Sequence, residues 1–283
     1  PVLAGEPMRV RPTAHFRHPA GALRDACVLV AARAAGVKHI VAGEYCVDRW
    51  KSNWQWFVDR RLASATDRYI ANSPAIRDHC VERGLPEEKF TVINNGVEPA
   101  RASDVSRAEL LQELRCPPDA RLIGVVGRLW PQKRVKDLIW AADLLRVLHD
   151  NLRLLVIGDG PERATLERFA RLASDLDHIR FLGHRDDAWR IMPHLDVFWN
   201  GSGYEGQPNA VMEAMAAGLP VIAVVLTPSL TDGARQPVSV RLAGVPVVRR
   251  LRRLRIVRAF EVFMRAADIS HRALLESRLE IDQ

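Results

Sequence analysis

From residue 121 the chain alternates short apolar runs with longer stretches in which apolar residues return every three or four positions. Residues 122–126 have the length and composition of a buried strand. Val135, Leu138, Ile139, Ala142, Leu145 and Leu148 then recur at the spacing of one helix face. Residues 152–157 predict a second strand, and 161–172 a second helix with Leu166, Phe169 and Ala170 on one side. Strands at 179–182 and 196–199 flank a short helix at 188–192, and a helix over 208–217 leads into a strand at 220–223. Strands that are apolar throughout, alternating with helices, predict a parallel sheet covered on both faces. Ligands of such sheets gather at the carboxyl ends of the strands. Gly127, Gly158, Gly183 and Gly201 all stand at those ends.

The preceding part of the chain repeats this rhythm less completely. Residues 39–42, 68–71 and 90–93 predict strands, and 53–65 and 74–83 predict helices. Ser73 before Pro74 has the order of an N-cap and a first helical residue. Ser106 and Glu109 form a capping box that opens a helix reaching Leu114. Residues 1–25 do not read as the strands a complete first domain needs, and from 224 onward the strand–helix alternation is lost. A truncated gene, a shifted frame or a divergent subfamily would each give this pattern.

Composition adds bounds. The 283 residues, 48% hydrophobic and 27% charged, can bury a substantial core and form two domains. Cys27, Cys46, Cys80 and Cys116 show neither Cys-x-x-Cys spacing nor adjacent histidines, which fits reduced thiols in a cytoplasmic protein. No apolar run has the length of a membrane span. The net charge is +7, and from Val240 onward ten arginines against five acids contribute +5 of it. These arginines lack interleaved aromatics, so nucleic-acid binding is not expected, while weak contact with a membrane surface is.

The segment from Gly203 to Pro220 concentrates the chemistry. Glu205 and Glu213 lie eight positions apart, separated by Gly206, Gln207 and a helix start at Pro208. Gly218 supplies the helix stop, since only glycine enters the left-handed region cheaply. The amides of Gln207, Asn209 and Ala210 at the helix start make an anion seat reinforced by the helix dipole. Upstream, Gly127-Arg-Leu-Trp-Pro-Gln-Lys133 follows a strand and precedes a helix. Arg128 offers a planar fork to two phosphate oxygens there, and Lys133 a mobile point charge. Each Glu alone would pass as a solvated side chain, and each cation as an ordinary surface residue. Their joint placement at strand ends points to a nucleotide-sugar. Gly158-Asp-Gly160-Pro161 lacks the third glycine of a dinucleotide fingerprint, which sets that alternative aside.

The 205–213 stretch resembles the E-x7-E motif of group 1 glycosyltransferases, retaining enzymes of the GT-B fold. The resemblance runs from about His39 to Ala223 and includes the family's G-R-x-x-x-x-K loop at 127–133 and its G-x-G-P turn at 158–161. It implies an α/β fold of two Rossmann-like domains with parallel sheets, the amino-terminal one incomplete. On this reading residues 1–100 are a partial acceptor-side domain, 101–120 a linker, 121–223 the donor-binding domain and 224–283 a divergent Arg-rich tail.

The implied activity is transfer of a hexose from a nucleoside-diphosphate sugar to the hydroxyl of a sugar, lipid-linked or small-molecule acceptor, with retention. An inactive donor-binding remnant or interaction protein is the alternative, motivated by the two unusual ends. The resemblance gives Glu205 the transferred sugar, Glu213 the ribose, and Arg128 and Lys133 the diphosphate. Gly127, Gly158, Gly160, Gly183 and His184 then line the nucleotide cleft. With cations in that role no metal is expected, and no other cofactor. Relatives often carry a His facing the sugar near the end of the first predicted strand, where this chain has Gly43 and Glu44. Asn95-Gly96-Val97 also resembles a family landmark and suits a turn. Trp50, Trp54 and Trp56, with Arg49 and Lys51, would make a sugar- or lipid-facing patch, although aromatic residues at this spacing more often enter a core.

Overall fold

The computed structural model describes residues 28–29, 31–47, 51–147, 149–174, 177–225 and 239–243. The expectations for residues 1–25, for Arg49 and Trp50 and for the arginines beyond 243 lie outside the described residues. The chain divides into two compact units, Pro1–Ile93 and Asn94–Gln283.

The first unit holds three parallel strands, β1 (Val41–Glu44), β2 (Arg68–Ala71) and β3 (Phe90–Val92), in the order β1-β2-β3. Helix α1 (Asn53–Leu62) opens on a capping box between Ser52 and Gln55, and α2 (Pro74–Glu82) on a Ser73 cap with proline in the first turn. The first strand starts two residues later than its apolar run. Asp67 Oδ2 accepts the Ile40 amide at 2.6 Å, so the ladder begins with Val41 opposite Arg68. That amide is the chief reason the Asp67 carboxyl is held below its usual value. Trp56 is buried and packs edge-on against His79, whereas Trp54 is exposed and stacks on Phe57. The expected tryptophan patch therefore divides: one ring serves the core and one faces solvent.

The second unit is built on a six-stranded sheet. Its strands are β4 (Arg121–Val126), β5 (Leu152–Ile157), β6 (Ile179–Gly183), β7 (Val197–Asn200), β8 (Val221–Val225) and β9 (Ser239–Ala243). They lie in the order β6-β5-β4-β7-β8-β9, parallel except for the antiparallel β8–β9 pair. Alternate residues of each inner strand enter opposite layers. Ile123, Leu154, Val156, Val197 and Trp199 pack with Leu138, Ile139 and Leu145 of α4 (Val135–Arg146) and Leu166 of α5 (Arg163–Ala173). Leu122, Leu155, Ile157 and Phe198 pack with Leu110 and Leu111 of α3 (Arg107–Glu113), Ile191 of α6 (Ala188–Ile191) and Ala214 of α7 (Asn209–Ala216). Burial on both faces explains why these strands are apolar without alternation.

Three details depart from the sequence reading. Strand β9 was not expected, because the apolar rhythm is lost after 224 and an antiparallel return needs no intervening helix. Pro208 caps α7 with an extended backbone, ψ 110°, instead of occupying its first turn. Helix α5 begins at Arg163 and not at Pro161, and the Glu162 amide before it donates to the Leu129 carbonyl of the neighbouring loop at 3.1 Å. Residues 101–120 contain α3, and its Leu110 and Leu111, with Leu114 just after it, lie buried against the sheet of the second unit.

Candidate functional site

Strand β7 lies beside β4, although β5 and β6 separate them in sequence. The order reverses at that pair, which is where open sheets of this kind place a ligand crevice outside their carboxyl edge. The loop after β4 carries Gly127, Arg128 and Lys133, and the loop after β7 carries Glu205, Gly206, Gln207 and Pro208.

Hydrogen bonds join the two loops. The Gly203 amide donates to the Gln132 carbonyl at 2.8 Å, and Gln132 Nε2 donates to the Tyr204 carbonyl at 2.7 Å. Beside this seam the Lys133 ammonium pairs directly with the Glu205 carboxylate. Both side chains are mostly covered, 24% and 17% exposed, so solvent screens the pair incompletely. Lys133 also crosses the open face of Gly127, where an added Cβ would sit 3.6 Å from its Cε. Arg128 is exposed and makes no ion pair among the described residues. The crevice thus presents one neutralised cation and one available one.

The far end of the second loop is held by Asn95. Its main-chain amide donates to Gln207 Oε1 at 2.7 Å, and its Nδ2 donates to the Gln207 carbonyl at 3.2 Å and to Asn209 Oδ1 at 2.8 Å. Gln207 Nε2 turns to the Met212 sulfur at 2.9 Å, so the Gln207 side chain is used within the fold. Helix α7 follows. Val211 and Met212 donate to the Pro208 carbonyl, leaving the Asn209 and Ala210 amides as the first-turn donors outside the helical pattern. Asn209 and Glu213, four residues apart, are both exposed and share a helix face, with Ala214 buried behind them. Gly218 ends the segment with φ +74°.

The glycines form the floor of the same edge. An added Cβ at Gly158 (φ +139°) would lie 1.9 Å from the Gly127 carbonyl oxygen, and one at Gly160 would lie 2.5 Å from that of Leu129. Amides complete the stitching. Gly127 donates to Ile157 O at 2.9 Å, Leu129 to Asp159 O at 2.8 Å and Gly158 to Gly183 O at 2.7 Å. Backbone thus touches backbone across three consecutive strand ends. Asp159, held below its usual value mainly by the Gly160 amide and the Arg163 guanidinium, fixes the outer turn. His184 is exposed and its Nε2 lies 3.2 Å from Asp186 Oδ1.

The structure brings Lys133 and Glu205 into contact and gathers the glycines, Gln207, Asn209 and Ala210 on one edge of the second unit. Sequence reasoning gave Asn95 only a turn and did not single out Gln132. The Asn-Gly turn signal at 95–96 marked the place without revealing partners 112 and 114 residues away. No helix among the described residues is long and apolar enough to cross a membrane.

Residues 106–236 match the family described as Glycosyl transferases group 1, and residues 14–101 match Glycosyltransferase Family 4. The chain is 32% identical over 175 residues to a GDP-mannose-dependent alpha-mannosyltransferase of Mycobacterium tuberculosis, covering 61% of this chain and 42% of that protein. It is 29% identical over 218 residues to the putative glycosyltransferase EpsF of Bacillus subtilis, covering 72% and 55%. Among solved structures it resembles Anabaena HepE in complex with UDP-glucose, with a TM-score of 0.63 and 23% identity over 73% of this chain and 57% of that one. The chain spans about half the length of these relatives. The structural likeness assigns the GT-B fold.

Proposed function

Because the chain belongs to the group 1 glycosyl transferases, we propose that residues 121–223 bind a nucleoside-diphosphate sugar and that its hexose passes to an acceptor hydroxyl with retention. The observation that carries this reading is the pairing of Lys133 with Glu205 at the β4–β7 crevice, beside an exposed Arg128. A diphosphate seated there would draw on Arg128, Lys133 and the Asn209 and Ala210 amides together. Charge on the leaving diphosphate grows as the glycosidic bond breaks, and fixed cations stabilise that charge most in the transition state. These groups replace a metal in this scheme. Glu205, released from Lys133 by the diphosphate, faces the transferred hexose. Glu213, on the exposed face of α7, accepts the ribose hydroxyls. Retention follows if the acceptor attacks the face from which the diphosphate departs.

Calorimetry with UDP, GDP and ADP, followed by a donor-hydrolysis assay, tests the proposal. Arg128→Ala should lower turnover by about a hundredfold while weakening donor binding much less. Glu213→Gln should weaken free nucleoside diphosphate and donor equally, by about tenfold, without changing sugar preference. A wild-type protein that binds none of the three diphosphates would sink the reading.

A further inference from the structure

The loop carrying Glu205 is tied at two places. Gln132 holds Gly203 and Tyr204, and Asn95 holds Gln207 and Asn209. Only Glu205 and Gly206 lie between the two ties. Acceptors and donors leave one consistent assignment. The Asn95 main-chain amide can only donate, so Gln207 presents oxygen to it. The Gln207 carbonyl can only accept, so the Asn95 side chain must turn its nitrogen inward. That nitrogen serves two acceptors at once, one on each side of Pro208.

From this geometry we infer that Asn95 is a positioning residue for the donor site, holding the Gln207–Asn209 turn so that the Glu205 carboxylate and the first amides of α7 stand ready for the diphosphate. The inference rests on the donor-site reading above. It assigns no contact between Asn95 and substrate. Proline at 208 lacks an N–H and a capping side chain, so α7 has no cap of its own. The Asn95 side chain supplies the missing restraint from outside the helix.

Asn95→Ala removes both side-chain bonds and keeps the main-chain one. It should weaken nucleoside-diphosphate binding by about tenfold and lower turnover in parallel. Asn95→Asp places a carboxylate opposite the Gln207 carbonyl, which can only accept, and beside an anionic ligand. It should bind more weakly than Asn95→Ala at neutral pH. It should regain affinity relative to Asn95→Ala as the pH falls and the carboxyl becomes an O–H donor. A general loss of stability would not produce that pH-dependent ratio. Should Asn95→Ala fold poorly, Asn209→Ala, on an exposed residue, breaks one of the same bonds from the other side.

Hydrogen exchange of the ligand-free protein reads the tie without any diphosphate. Protection over residues 203–210 should fall in Asn95→Ala and stay unchanged elsewhere in the sheet. Unchanged exchange there, or wild-type affinity and turnover in Asn95→Ala, overturns the assignment. Wild-type protein that binds no nucleoside diphosphate overturns the donor-site reading instead, while the exchange result still decides whether Asn95 holds the loop.

Discussion

Replacing Glu205 by glutamine is expected to tighten the binding of free nucleoside diphosphate while slowing sugar transfer. The Lys133 ammonium is paired with Glu205, so a diphosphate must displace a carboxylate to reach it. Two unit charges about 4 Å apart attract by about 4 kcal/mol at an effective dielectric near 20. With side chains 24% and 17% exposed, loss of hydration cancels a large part of this, leaving about 1–2 kcal/mol. Glutamine preserves the shape and removes the competing charge. Affinity for the diphosphate should therefore rise by about 5–30-fold, at 1.4 kcal/mol per factor of ten. Titration calorimetry of Glu205→Gln against wild type measures it directly. Lys133→Ala should move affinity the other way, since it leaves Glu205 unpaired beside the diphosphate. If Glu205→Gln binds the diphosphate no more tightly than wild type, the carboxylate does not compete for Lys133 and the reasoning fails.

Gly158→Ala should destabilise the second unit by about 3 kcal/mol or more, because the new Cβ meets the Gly127 carbonyl at 1.9 Å from a backbone already at φ +139°. That corresponds to a fall of about 6–12 °C in Tm. Gly36→Ala, which has a positive φ but open space around it, is the control and should cost far less. Equal melting of the two variants would refute the packing account. For Asp187, hydrogen bonds from Arg185 hold the carboxyl below its ordinary value of 3.8. A depressed carboxyl contributes stability that is present above pH about 4 and lost as pH falls through the folded-state value. Arg185→Gln should therefore be less stable than wild type at pH 7, with a gap that narrows below pH about 4 in denaturant titrations. A gap of constant size over that range would refute the linkage.

The second unit was legible in the sequence where burial is two-sided. The apolar runs that became β4, β5 and β7 carry no polar alternation because α3, α6 and α7 cover one face and α4 and α5 the other. The Ser106–Glu109 box was readable because both partners lie within one helical turn. Long-range polar contacts were not. Nothing local distinguishes an Asn that shapes its own turn from one that reaches residues 207 and 209. The Lys133–Glu205 contact stands between these cases. Both residues were identifiable by their place at strand ends, but their pairing depends on β7 lying beside β4. Strand β9 escaped because the strand–helix rhythm that announced the parallel strands is lost after residue 224, while β9 pairs antiparallel with β8.

The strand order also sets when the candidate site can exist during folding. β4 and β5 are joined by one helix, whereas β7 reaches β4 only after two further strands have been made. The residues that meet in the crevice, Lys133 and Glu205, are 72 positions apart. Contacts of such separation close long loops and form late compared with neighbouring strand–helix units. Anion capture at this edge is thus a property of the finished sheet and is absent from its early β4–β5–β6 half. During refolding, the return of diphosphate binding should lag behind the return of helical signal, and the lag times the arrival of β7.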